Sequence, residues 1–266
     1  MTAGSRDQSV PATARFQGRT VVVTGASSGI GRSVAERLAA EGAHVVAVAR
    51  RRDGLDELVR QLGEDRAIGV TADVTSRSEV ATVMATAAER FGGIDVLVSN
   101  VGGGLVKEFE EITSEEWTSV MAANVDTCFL CAQEALPHLK KSRGSIVHTS
   151  SVAGMGGDRN LTAHSTAKAA VVNFTRSLAF DLGPFGIRVN AVAPGMTASD
   201  DVAATEPFAN WLARSAERQA IAGHATPADV AAAVAFLASS DARFVTGTNL
   251  IVDGGLSAGS GLPPFS

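Results

Sequence analysis

The chain has 266 residues, 45% of them hydrophobic, which is enough to bury the core of one sizeable α/β domain. A formal net charge of −5 excludes the basic surface that nucleic acid or an acidic membrane would require. There is no apolar run of about 18 residues and no basic-then-apolar leader, so the expectation is a soluble cytoplasmic protein with neither a nucleic-acid nor a membrane partner.

Residues 1–17 are rich in Ser, Thr, Ala and Arg without periodicity, and read as a flexible N-terminal tail. Residues 18–266 then read as a single domain. The β-branched run Thr20-Val21-Val22-Val23 leads into the turn Thr24-Gly25-Ala26-Ser27-Ser28-Gly29-Ile30-Gly31. A helical pattern follows from Arg32 to about Glu41. Strand, glycine-rich turn and helix together open a dinucleotide-binding βα unit. Gly25 permits the tight exit from the strand, Gly29 lets backbone approach a pyrophosphate, and Gly31 lets the helix pack closely.

Strand and helix patterns alternate from there: strand His44–Ala49, helix Asp53–Leu62, strand Ala67–Thr71, helix Ser76–Phe91 and strand Asp95–Val98. A long helix is expected over Ser114–Lys140, interrupted near Pro137. The fifth strand is Ser145–Thr149, the next helix runs from about Ala163 to Leu182, and Gly183-Pro184-Phe185-Gly186 ends it. Strand Ile187–Val192 follows, then an irregular stretch with buried-looking Phe208 and Trp211, a helix Pro227–Leu237 and a last strand Asn249–Val252. Such alternation implies a Rossmann-type, doubly wound parallel sheet of about seven strands with helices on both faces.

Cys128 and Cys131 are the only cysteines. With no second pair and no histidine nearby in sequence, they read as two small apolar residues of one helix rather than a redox pair or half a zinc site. His44, His138, His148 and His224 stand singly, so no metal site is expected.

Several separated motifs together resemble the short-chain dehydrogenase/reductase family over Arg19–Ser257. Thr24–Gly31 is similar to its Thr-Gly-x3-Gly-x-Gly loop, and Asp73-Val74 to the pair that holds adenine. Ser99-Asn100-Val101-Gly102 stands where the family has Asn-Asn-Ala-Gly, Asn124 at the asparagine that relays protons, and Pro194-Gly195-Met196-Thr197 at the segment over the nicotinamide. Val252-Asp253-Gly254-Gly255 resembles the terminal strand that commonly joins a subunit interface, which implies a homo-oligomer, tetramer or dimer. The resemblance implies cofactor contacts from Gly25, Ser27, Ser28, Gly29, Ile30, Gly31, Asp73, Val74, Asn100, Lys168 and Pro194–Thr197.

An enzyme of this family that selects NAD(H) usually ends its second strand with Asp or Glu. Here Ala49 holds that place and Arg50, Arg51 and Arg52 follow. Guanidinium groups pair bidentately with phosphate, so NADP(H) is expected, with Arg50 and then Arg51 at the 2′-phosphate.

The family's chemistry uses a serine after the fifth strand and a Tyr-x3-Lys on the next helix. Ser151 fits the serine, with Ser150 adjacent, and Lys168 fits the lysine. Four residues before Lys168 stands His164, and the chain contains no tyrosine. Residues four apart share a helix face, so His164 and Lys168 can point together at one site. An imidazole has an ordinary pKa of about 6.5, so acid–base work at that position is chemically open. It reaches about 2 Å less far than a phenol, and a misplacement of about 1 Å can slow a reaction roughly a hundredfold. Three readings follow for His164: a substituted acid–base in carbonyl–alcohol redox chemistry, a lyase or isomerase role on the same scaffold, or a relic in a cofactor-binding regulatory subunit. The first is the reading adopted, with a small carbonyl or alcohol as substrate and Asn124, Ser151, His164 and Lys168 as the catalytic set.

Overall fold

The computed structural model describes residues 14–206, 208–216 and 218–259. Seven strands form one parallel sheet in the order β3-β2-β1-β4-β5-β6-β7. They are β1 (Thr20–Thr24), β2 (His44–Ala49), β3 (Ala67–Thr71), β4 (Val96–Ser99), β5 (Ser145–Thr149), β6 (Arg188–Pro194) and β7 (Asn249–Val252). The helices are α1 (Gly29–Ala40), α2 (Arg52–Leu62), α3 (Arg77–Phe91), α4 (Ser114–Met121), α5 (Thr127–Ser142), α6 (Thr162–Leu182), α7 (Asp200–Ala203), α8 (Phe208–Ala216) and α9 (Pro227–Ala238). No helix among the described residues is long and apolar enough to cross a membrane.

The two cores follow from the period-2 alternation of strand side chains. Val21, Val23, Val45 and Ala47 pack with Leu38 of α1, Leu55 of α2 and Val234 of α9. Their neighbours Val22, Val46 and Val48 face the other way, onto Val83 of α3, Cys131 of α5 and Ala179 of α6. Both faces are covered, which is why the strands read as continuous apolar runs. The sheet order reverses direction between β1 and β4, and the carboxyl ends of those strands open the crevice in which such folds place a ligand.

Three expectations need correction. The long helix is interrupted not at Pro137 but at residues 122–126, a single π-turn between α4 and α5. Pro137 sits inside α5 on its exposed side, as does Gln133 one turn earlier, so the helix runs on through the proline. Trp211 is 45% exposed and Phe208 only half-buried, because α8 lies outside both cores. Finally, the end of the expected tail is packed: residues 1–13 lie outside the described residues, but Phe16 is 1% exposed and joins the α1 core. Its N–H donates to Glu41 O at 3.0 Å, and Arg15 grips the Glu41 carboxylate through Nε and Nη2 at 2.6 and 2.7 Å.

Candidate active site

A cleft of about 700 Å3 opens at the carboxyl ends of β1, β2 and β4. Gly25, Ser27, Ser28, Arg50, Arg51, Asp73, Val74 and Asn100 line it, so the structure brings together half of the residues expected to hold a dinucleotide. Gly25 and Gly29 adopt left-handed backbone (φ +69° and +54°), which glycine reaches without strain. Gly31 has a different necessity. A methyl there would be driven into the Gly25 carbonyl oxygen and to within 2.7 Å of Asn100 Nδ2, so the start of α1 is pressed onto the loop. Ser28 precedes α1 without a side-chain cap, which leaves the first N–H groups of the helix free for an anion. Ile30 turns back onto the core.

Asn100 ties the loop to β5. Its N–H donates to Thr24 Oγ1 at 2.9 Å, and its Oδ1 accepts from Thr149 Oγ1 at 3.1 Å. Asp73 accepts from Thr75 N–H and Oγ1, and these bonds, with a smaller contribution from Arg50, hold its carboxyl below the usual range. A dinucleotide therefore meets a glycine cradle, an uncapped helix start and arginines at the β2 end: the residues present fit the group.

The expected catalytic residues gather one strand further along the same edge. Lys168 is 6% exposed, and its Nζ donates to Thr149 O at 2.9 Å. Burial lowers its pKa from the ordinary lysine value. Asn124 lies in the π-turn, fully buried, with Nδ2 donating to Val120 O at 2.8 Å and Gly103 O at 2.9 Å. A side chain at Gly102 would come within 2.6 Å of Asn124 Oδ1 and 3.0 Å of Lys168 Nζ, so both groups converge on that glycine. His164, half-buried one turn before Lys168, has Nδ1 3.2 Å from Gly103 O. Burial is the largest influence on its pKa, which lies below the ordinary histidine value, and Lys168 pushes in the same direction.

The structure separates the two serines. Ser150 Oγ is turned into the sheet, bonded to Val192 O at 2.9 Å and Asn249 Oδ1 at 2.6 Å. Ser151 is half-buried, its Oγ accepting from Ala153 N–H at 3.1 Å at the start of a short 3-10 turn. Pro194–Thr197 continue from the carboxyl end of β6 but do not line the 700 Å3 cleft. Gly195 is a glycine because Asp253 backs it: an added Cβ would lie 2.8 Å from Asp253 Cβ.

Three features escape sequence reasoning. The carbonyls of Gly103 and Thr149 carry no side-chain signal, yet they hold His164 and Lys168. His148 looked ordinary in the sequence but is fully buried on β5 against Phe174, with neither ring nitrogen hydrogen-bonded among the described residues. Burial first, and then Lys168, push its pKa down to about 3. Cys128 and Cys131 are free and buried, and burial raises the Cys128 thiol to about 11, as expected of inert core residues. No group of three metal-ligating side chains occurs among the described residues.

Fold and cleft define a Rossmann-type α/β protein with a cleft at the sheet's switch point. A family model described as enoyl-(acyl carrier protein) reductase matches residues 25–257. The chain is 39% identical over 250 residues to a meso-2,3-butanediol dehydrogenase of Serratia marcescens, covering 94% of this chain and 98% of that one. It is 43% identical over 247 residues to a cis-4-hydroxycyclohexanecarboxylate dehydrogenase of Sinomonas cyclohexanicum (91% and 98%). It is also 38% identical over 245 residues to a 3-oxoacyl-(acyl-carrier-protein) reductase of Haemophilus influenzae (91% and 99%). The chain belongs to the short-chain dehydrogenase/reductase family, which works with nicotinamide cofactors.

Proposed function

We propose that this protein is an NADP(H)-dependent oxidoreductase that interconverts a carbonyl and a secondary alcohol, with His164 at the position of the family's catalytic tyrosine. The observation that carries the reading is the convergence of His164, Lys168 and Asn124 on the Gly102–Gly103 backbone, with Ser151 free of the sheet. A bound nicotinamide supplies hydride donation and acceptance. Lys168 holds the nicotinamide ribose and Ser151 fixes the substrate oxygen, while His164 exchanges the hydroxyl proton. The relatives' names point to secondary alcohols and ketones as the substrate class.

The preference for NADP(H) rests on Ala49 at the end of β2, which puts no carboxylate against a 2′-phosphate, and on exposed Arg50 and Arg51 lining the cleft. An Arg50–phosphate pair contributes about 1.5–3 kcal/mol, so Arg50→Ala should weaken NADPH about 10- to 100-fold and leave NADH unchanged. A homo-oligomer is supported by the edge strand β7, where Ile251 is 44% exposed, and by Phe244 beside it in sequence at 94%.

The test is nicotinamide absorbance over a panel of ketones and secondary alcohols, comparing the native chain with His164→Tyr. Turnover by the native chain, undiminished relative to the variant, is the expected result. Turnover by the variant alone refutes the reading and returns the protein to a cofactor-binding role. Substrate loss without an absorbance change identifies a lyase or isomerase.

A further inference from the structure

We infer that His164 is held in the Nδ1–H tautomer, so that its neutral ring presents a lone pair at Nε2 and serves as a base for alcohol oxidation. This rests on the proposed role of His164 as the proton-exchanging residue.

Gly103 O fixes the tautomer. A carbonyl oxygen only accepts, so the nitrogen 3.2 Å away must carry a hydrogen: His164 Nδ1–H donates to it. The same oxygen accepts from Asn124 Nδ2 at 2.9 Å, and Asn124 is itself fixed by a second bond to Val120 O. The carbonyl is thus oriented by a buried side chain before the histidine meets it. In a neutral imidazole one nitrogen is protonated and the other is not. With the proton at Nδ1, Nε2 holds the lone pair.

An unperturbed phenol has a pKa of about 10 and is an acid before it is a base, although a neighbouring ammonium such as that of Lys168 lowers the value. The neutral histidine starts as the base. In oxidation, the alcohol O–H proton passes to His164 Nε2 while the carbinol hydrogen leaves with its electron pair to oxidised nicotinamide, and the C=O bond forms. The ring ends as an imidazolium with both N–H groups filled and its Nδ1–H bond intact. In reduction the ring must first be doubly protonated.

The charges facing the ring oppose that protonation on balance. Lys168 lies one turn along on α6, while Asp158, on the loop before α6, acts weakly the other way. The loop of residues 100–107 offers one charged side chain, Lys107, and it is tied to Glu116 of α4 at 2.9 Å. The ring is half-buried, which further disfavours the cation. With its pKa below the ordinary histidine value, the ring is chiefly neutral at pH 7.5.

Two measurements decide the matter. Long-range nitrogen–proton NMR of protein labelled in histidine, with His164 assigned by loss of its signals in His164→Gln, reads the tautomer without any turnover. The expected pattern at pH 7.5 is Nδ1–H, opposite to the Nε2–H form that free imidazole side chains favour. Second, kcat/KM is followed from pH 5.5 to 9 in both directions with NADP+ or NADPH. Oxidation should rise to a plateau, and reduction should fall about tenfold per pH unit above the same midpoint. In His164→Tyr the falling limb should move to higher pH. An Nε2–H tautomer, or reduction that stays level from pH 6.5 to 9 in the native chain, overturns the inference and leaves the redox assignment standing. An Nδ1–H tautomer in a protein that turns over in neither direction overturns the redox assignment itself, and the role as base with it.

Discussion

Acidification should unfold this protein through His148. The imidazole is fully buried on β5 and packed on Phe174, and burial together with Lys168 holds its pKa near 3. In the unfolded chain the same group titrates at about 6.5. The folded value is the lower one, so above the unfolded pKa both states are neutral and the group has no effect on stability. As pH falls below 6.5 the unfolded state takes up a proton that the folded state refuses, and stability declines by about 1.4 kcal/mol per pH unit until the buried ring itself titrates near pH 3. At pH 5 the unfolded imidazole is about 97% charged and the buried one about 1%, a loss of about 2 kcal/mol relative to pH 8. Carboxylates whose pKa values are lowered in the fold, such as Glu41 and Asp253, also lose stabilisation in acid, so a reference protein is needed. His148→Leu keeps a similar volume on the sheet and removes the titration. Urea midpoints for both proteins at pH 8, 6.5 and 5, at one protein concentration, should show the difference shifting toward the leucine variant by about 2 kcal/mol between the extremes. Parallel pH profiles would show that His148 is not the neutral buried group described, and would refute the reasoning.

Two further outcomes test the architecture around the site. Gly31→Ala drives a methyl into the Gly25 carbonyl and against Asn100 Nδ2. The strain should be about 1–3 kcal/mol, read as a lower Tm together with weaker NADPH binding by fluorescence titration, and unchanged binding would remove Gly31 from the cradle. Phe16→Ala opens a hole in the α1 core and should destabilise by about 3–5 kcal/mol, whereas deletion of residues 1–13 should leave Phe16 and the Arg15–Glu41 pair in place. Equal effects of the two changes on urea midpoints would contradict the boundary drawn at the packed end of the tail.

The strands were legible because their signal is local: β-branched runs bounded by Gly and by helical periodicity need no knowledge of the rest of the chain. The glycine loop and the His164–Lys168 pair were legible for the same reason, since a turn and a helix fix the geometry of near neighbours. Where the sequence misled, the deciding partner was remote. Composition made residues 1–17 a tail, yet Phe16 finds its pocket beside Glu41, and Arg15 reaches as far as Asp241. Proline marked residue 137 as the break in the long helix, but the π-turn forms around Asn124. There the asparagine must reach Gly103, while Thr127 Oγ1 and Cys128 Sγ take up the carbonyls of Ala123 and Asn124.

The sequence by itself determined a parallel, doubly wound sheet, a glycine-rich turn at the start of α1, and a histidine one turn before a lysine on α6. Only the tertiary structure decided which serine is free, which carbonyl holds Lys168 and which one sets the protonated nitrogen of His164. Backbone carbonyls are identical at every residue, so a sequence cannot mark the ones that matter. The packing of α6 against β5 and the Gly102–Gly104 loop selects Thr149 and Gly103 for those roles.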